Sequence, residues 1–124
     1  MTRERRLEKQ ALRKFRATVK ALRLLASPLD GRAVRVSISG AVPDDCLGDC
    51  TQRKGHYLIR IHKDVAERCP EAIYLILAHE WAHVIAWESS RADHDECWGI
   101  ALAKCWRVIV GETHSGDFSN VRLD

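Results

Sequence analysis

The sequence is poor in glycine and proline, with seven and three among its 124 residues, which excludes collagen-like and low-complexity chains. It has no repeat of the length found in solenoids or propellers. No stretch reaches the roughly 18 uncharged apolar residues that a membrane-spanning helix needs. Its five cysteines are an odd number, which excludes a fully paired disulfide framework, and charges interrupt the apolar positions near the N-terminus, unlike a signal peptide. We therefore expect a cytoplasmic protein.

The composition is that of an ordinary globular chain, with 46% hydrophobic and 30% charged residues. We expect residues 1–124 to form a single domain. The net charge is +3, but it is unevenly distributed: residues 1–25 hold nine Lys or Arg and two Glu, a balance of +7, so the remaining 99 residues carry −4. Only the first segment therefore argues for an anionic partner.

The first half of the chain predicts one helix followed by a small sheet. Apolar residues recur at helical spacing over residues 3–25, with basic residues on the opposite face. Residues 34–39 alternate apolar and polar side chains, as a strand does. Residues 49–53 and 57–62 flank Lys54-Gly55 and predict a hairpin. The three strands are expected to form an antiparallel or mixed sheet.

The second half predicts two helices. Pro70 suits a first helical position, and the body of this helix, residues 72–87, is apolar on every side, as in a fully buried helix. Asp93 is expected to cap a last helix over about residues 95–110, with Gly111 as its stop signal. The order of helix, sheet, helix and helix indicates an α+β fold.

The buried helix contains three polar side chains that need an explanation, because burial of unpartnered polar groups is costly. They read His79-Glu80-x-x-His83. Residues four apart lie one helical turn from each other, so both imidazoles can bind one Zn²⁺. Glu80 is placed to take a proton from a metal-activated water rather than to bind the metal. The spacing therefore predicts a zinc site.

A catalytic zinc of this kind has three protein ligands and one open position. We expect His94, at the first turn of the last helix, to be the third ligand, with Asp95 or Glu96 as the alternative. The remaining histidines are expected on the surface or in strands: His56, His62 and His114.

The pattern His79-Glu80-x-x-His83 followed by His94-x-x-x-Trp98 resembles the SprT-like zinc metallopeptidases, the group that includes the Spartan DNA–protein crosslink proteases. In its small size the chain is most similar to stand-alone, often phage-encoded, members of this family. The resemblance implies a zincin-like fold and zinc-dependent hydrolysis of peptide bonds, with the three histidines as metal ligands and Glu80 as general base. The resemblance is also compatible with substrates that are proteins associated with DNA.

The sequence departs from this family at Asp95, where a glycine is usual.

No residue stands out as a transition-state donor besides the metal. The candidates are Tyr57, Tyr74 and His114, and the sequence favours none of them.

The cysteines and tryptophans are weaker signals. Cys46-x-x-x-Cys50 is a single close pair, whereas structural zinc sites commonly use two, so free buried cysteines are favoured here and at Cys97 and Cys105. The tryptophans are expected to pack in the core, since they lie at helical positions typical of it: Trp81, Trp87, Trp98 and Trp106.

The basic first helix is either a solvated face or a surface that contacts DNA phosphates without sequence preference. No aromatic residues lie among its basic residues, so base stacking is not expected. Two other functions stay open: a zinc-stabilised nucleic-acid-binding module without catalysis, and a metal-dependent amide hydrolase with a non-protein substrate.

Overall fold

The computed structural model describes residues 2–113. Among these residues, no helix is both long enough and apolar enough to cross a membrane. The elements follow in the order α1 (Arg3–Leu25), β1 (Ala33–Ser39), β2 (Gly48–Arg53), β3 (His56–His62), α2 (Lys63–Arg68), α3 (Ala72–Ile85) and α4 (Glu96–Thr113).

Helix α1 has the predicted bounds and the predicted amphipathic pattern. Its N-cap is Thr2, whose side-chain oxygen accepts a hydrogen bond from the main-chain nitrogen of Arg5 at 3.2 Å. The apolar stripe of its second half is buried at Phe15, Val19 and Leu22. This stripe attaches α1 to the common core.

The three strands form a mixed sheet in the order β1-β3-β2. Strand β1 runs parallel to β3, with Val36 opposite Ile59, and β2 runs antiparallel to β3 through the predicted hairpin. Gly55 occupies the turn with φ of 86°, a conformation that glycine adopts without strain. The mixed sheet was one of the two arrangements expected, and the α+β class is confirmed.

Helix α3 is the centre of the molecule, because it contacts β2, β3 and α4, and α4 in turn packs on α1. Trp81 is fully buried, and its indole nitrogen donates a hydrogen bond of 2.7 Å to the main-chain oxygen of Ala26, just after α1. Tyr57, Ile59 and Ile61 present the buried face of β3 to this core. The sheet and both long helices thereby fix the position of α3.

The connection between the sheet and α3 differs from the prediction. A short helix, α2, was not predicted; it begins where the His62 ring accepts a hydrogen bond from the main-chain nitrogen of Asp64. Pro70 is not the first residue of α3, since it lies in a turn before Ala72. The helix also ends at Ile85, two residues before the predicted end.

Two further expectations about the helices were wrong. Helix α3 is not buried on every side, because Leu75 is exposed near its start. Helix α4 begins at Glu96 and continues past Gly111 to Thr113. A glycine within a helix costs only about 1 kcal/mol relative to alanine, so it does not by itself end the helix.

Candidate metal centre

His79 and His83 lie one turn apart on α3, with their ring centroids 5.0 Å apart. Both side chains are half-buried, between the core-facing side of the helix and solvent. Burial lowers the pKa of both imidazoles, and neighbouring histidines lower it further when they are protonated. The lowered pKa favours the neutral form of both rings, which is the form that binds metals.

His94 completes the group from the segment between α3 and α4. Its Nε2 atom lies 3.1 Å from Nε2 of His79, and the ligand atoms of the three histidines all lie within 4.8 Å of one another. His94 has φ of 57°, the left-handed conformation that is uncommon for residues with a side chain. It was expected within the first turn of the last helix but lies two residues before it.

The histidine cluster suits a single divalent metal ion. With bonds of about 2.0–2.1 Å in a tetrahedron, two ligand nitrogens lie about 3.3 Å apart, close to the separation of His79 and His94. The donors are all imidazole nitrogens, which suit zinc among other transition metals. Among residues 2–113, this is the group of His, Cys, Asp or Glu side chains whose positions could hold a metal ion.

Asp95 supports the turn that positions His94. One carboxylate oxygen accepts hydrogen bonds from the Trp98 main-chain nitrogen at 3.1 Å and the Ser90 hydroxyl at 2.8 Å, and the other accepts from the Arg91 main-chain nitrogen at 2.8 Å. These bonds, that of Trp98 foremost, lower the pKa of Asp95 to about 2. Asp95 is therefore the N-cap of α4.

This finding corrects two expectations. Asp93 does not cap α4, because its neighbour two residues later does so. Asp95 also lies outside the histidine cluster that could hold a metal ion, and it uses both carboxylate oxygens in the turn. Two acids stand close to the helix start, and the spacing to Glu96 favoured the wrong one.

Trp98 forms one wall of the histidine cluster. Its ring centroid lies 4.5 Å from that of His94, 5.1 Å from that of His79 and 5.7 Å from that of His83. Its indole nitrogen donates a hydrogen bond of 3.2 Å to the main-chain oxygen of His79. This residue was expected to be a core tryptophan, and its contact with all three histidines was missed.

The prediction of core packing is confirmed for Trp81 but not for every other tryptophan. Trp87 lies beyond the end of α3 and is exposed, with its ring 5.7 Å from that of Tyr57. Trp106 is exposed on α4. Spacing at helical intervals therefore did not distinguish buried from exposed tryptophans.

Glu80 lies beside the histidines in a buried position, with 8% of its surface exposed. Its Oε1 atom is 4.0 Å from Nε2 of His79. Burial, followed by the negative charge of Asp49, raises the pKa of Glu80 to about 7. A carboxyl group with such a pKa can accept and release a proton near neutral pH.

Glu80 and His79 line a cleft of about 370 Å³ between α3 and the segment that leads into β2. Leu47 and Leu75 are the exposed apolar side chains of this cleft. Gly48 is needed at its floor, since an added Cβ would lie 2.7 Å from the Ile76 side chain and 2.8 Å from the Arg60 main-chain oxygen. The close approach of β2 to α3 therefore depends on a residue without a side chain.

The other candidate residues lie apart from the cluster or outside the described part of the chain. His62 ends β3 and bonds Asp44 at 3.2 Å, and the Tyr57 hydroxyl donates to Asp30 at 2.7 Å. Tyr74 packs edge-on against Phe15. His56 begins β3, and His114 lies outside the described residues.

All five cysteines are free. The prediction that the cysteines are buried is confirmed for Cys105 and wrong for Cys97, which is exposed on α4. Cys46 and Cys50 are half-buried. The basic side chains of α1 are all exposed, and their contact with DNA stays a prediction.

Comparison with known proteins identifies one family. The family model of the SprT-like family matches residues 9–115, which include most of α1, the sheet, the histidine cluster and α4. No curated protein and no solved structure matches the chain.

Proposed function

Because the chain belongs to the SprT-like family, we propose that it is a zinc-dependent metallopeptidase that hydrolyses peptide bonds with a metal-activated water. The observation that carries this proposal is the position of a buried carboxylate, Glu80, next to three converging imidazoles. A cleft large enough for part of a peptide opens on two of these residues, His79 and Glu80. These features together favour a catalytic over a purely structural metal.

His79, His83 and His94 would hold the zinc ion through ring nitrogens. Zinc held there would supply Lewis-acid polarisation of the peptide carbonyl and activation of the attacking water. Glu80 accepts the proton of the attacking water at a carboxylate oxygen and delivers it to the leaving amine nitrogen. The water oxygen is thereby added to the carbonyl carbon as the carbon–nitrogen bond breaks.

The protein supports this chemistry in two further ways. Trp98 shields one side of the histidine rings, and Asp95 holds the turn that carries His94. Partners of this kind orient metal ligands and typically change metal affinity by about 10–100-fold when they are lost.

The test is proteolysis of a denatured protein by the zinc-loaded chain. The wild type and Glu88→Gln, which alters an exposed glutamate after α3, should both cleave it. Glu80→Gln should bind zinc normally but lose at least about 100-fold in rate, because it cannot take up the proton. An active Glu80→Gln variant would refute the proposed mechanism.

Two alternative functions have distinct outcomes in the same experiment. Hydrolysis of peptidoglycan fragments but not of protein, again dependent on Glu80, would identify an amide hydrolase with a non-protein substrate. Inactivity of the wild type on both substrates, together with unfolding on zinc removal, would identify a zinc-stabilised module.

A further inference from the structure

A groove of about 780 Å³ lies between α1 and β1, in a part of the molecule that the proposed peptidase does not use. The apolar side chains that line it come from both elements. Leu12 is 44% exposed and Ile38 is 43% exposed, and Val36 is half-buried between them and the core. Exposed apolar surface of this kind is typical of binding grooves.

One wall of the groove is the free edge of the sheet, since β3 is the only strand in the described part of the chain that pairs with β1. The main-chain oxygen of Val34 accepts a hydrogen bond from Arg23 at 3.1 Å and therefore points away from β3. Main-chain groups alternate in direction along a strand, so those of Val36 and Ile38 point the same way. They face the groove and can pair with another extended chain.

The other wall carries three positive charges, on Arg16, Lys20 and Arg23. Within residues 2–113, none of these side chains forms an ion pair with a carboxylate. The hydrogen-bond partner of Arg23 is a neutral carbonyl, which leaves its charge uncompensated. No acidic side chain of the described residues lines the groove.

We propose that this groove binds an extended acidic segment of a partner protein, which adds a strand to the free edge of β1. The strand edge supplies main-chain hydrogen bonds, the apolar side chains contact alternate residues of the segment, and the three cations attract its carboxylates. A second copy of this chain does not fit, because its own edge carries the same three cations. Nucleic acid fits poorly, because the exposed apolar side chains of the groove are aliphatic, and Phe15, the aromatic residue among its described lining, is buried.

The binding test uses the full chain and a fluorescent peptide of alternating valine and glutamate, as long as the seven residues of β1. Fluorescence anisotropy should show saturable binding that weakens with salt, and a matching valine–lysine peptide should not bind. The double variant Arg16→Glu/Lys20→Glu should weaken binding at least about tenfold, because it reverses the charges beside the strand edge.

A matched control is available on the same helix. Lys9→Glu/Arg13→Glu makes the same charge change at the same spacing and on the same face, but neither residue lines the groove. Its binding should stay within about twofold of the wild type, since exposed charges at a distance are screened.

Ile38→Pro, compared with Ile38→Ala, which likewise removes the apolar side chain from the groove, tests the strand edge. The missing N–H of proline would face the groove, so pairing with β3 is retained while the free edge is blocked. Ile38→Pro should lose at least about tenfold in affinity relative to Ile38→Ala, with an unchanged circular dichroism spectrum.

Three results would overturn the proposal: no binding of the valine–glutamate peptide, equal binding by Ile38→Pro and Ile38→Ala, or equal weakening by the two double variants. Equal weakening, together with salt-dependent binding of a labelled oligonucleotide, would instead identify α1 as a nucleic-acid-binding surface.

Discussion

The indole nitrogen of Trp98 donates a hydrogen bond to the main-chain oxygen of His79, 3.2 Å away. The bond connects the first turn of α4 to the helix that carries two of the three histidines. The same side chain packs its ring against all three imidazoles. Trp98 is therefore positioned to hold the histidines in place without itself being a ligand.

Replacement of Trp98 should weaken metal binding by steps. Trp98→Phe keeps a ring but loses the hydrogen bond, which is worth about 1 kcal/mol in stability. Trp98→Ala also removes the ring, and we expect zinc affinity to fall by about 10–100-fold. Competition with a zinc-sensitive dye measures the zinc affinity of both variants. Trp106→Ala, at an exposed position on the same helix, is the control. Equal zinc affinity in the two alanine variants would contradict this role.

Asp95→Ala should disturb both α4 and the metal site. The variant removes the N-cap of α4 and the bonds that hold the turn around His94. We expect a lower midpoint of thermal unfolding and a zinc affinity reduced by about tenfold. Asp93→Ala, at the exposed position that the sequence favours as the cap, should leave the midpoint of thermal unfolding unchanged. The opposite ranking of these two variants in calorimetry would return the capping role to Asp93.

The histidine pair on α3 could be predicted from the sequence because a helix fixes the geometry of residues four apart. The position of His94 depends instead on its own left-handed backbone conformation and on which of several neighbouring acids caps α4. Local sequence patterns do not distinguish these acids. The short helix α2 was missed for a similar reason, since its N-cap is the ring of a strand residue, His62. Elements with their own apolar periodicity, such as α1 and β3, were predicted almost to the residue.

Removal of zinc should leave the fold intact. The core is built from apolar side chains of α1, β3, α3 and α4, including Leu22 and Trp81, and does not depend on the histidine cluster. We expect the chelated chain to keep its circular dichroism spectrum and to unfold at a lower temperature. Zinc at a thousandfold excess over its Kd adds about 4 kcal/mol to the free energy of unfolding.

His94→Ala should abolish most of this gain, and elemental analysis should show a marked loss from about one zinc per chain. His56→Ala, in the sheet, is the matched control. Loss of the helical spectrum on chelation would favour a structural metal. If His94→Ala still held about one zinc per chain, a residue other than His94 would be the third ligand.

The metal-free chain should reveal the cost of the buried charge on Glu80. Burial and the charge of Asp49 raise the pKa of Glu80 from 4.5 to about 7, so folding favours the protonated form. The folded state is then relatively more stable below the unfolded pKa of 4.5, and this advantage is lost as pH rises through 7. Glu80→Gln cannot ionise, so it should be more stable than the wild type by about 3 kcal/mol at pH ~8 and nearly equal to it at pH ~4. Urea unfolding in the presence of a chelator measures both values, with Glu88→Gln as the exposed control. A constant difference between Glu80→Gln and the wild type across this range would show that Glu80 does not carry a displaced pKa, and its suitability as a proton acceptor near neutral pH would lose its physical basis.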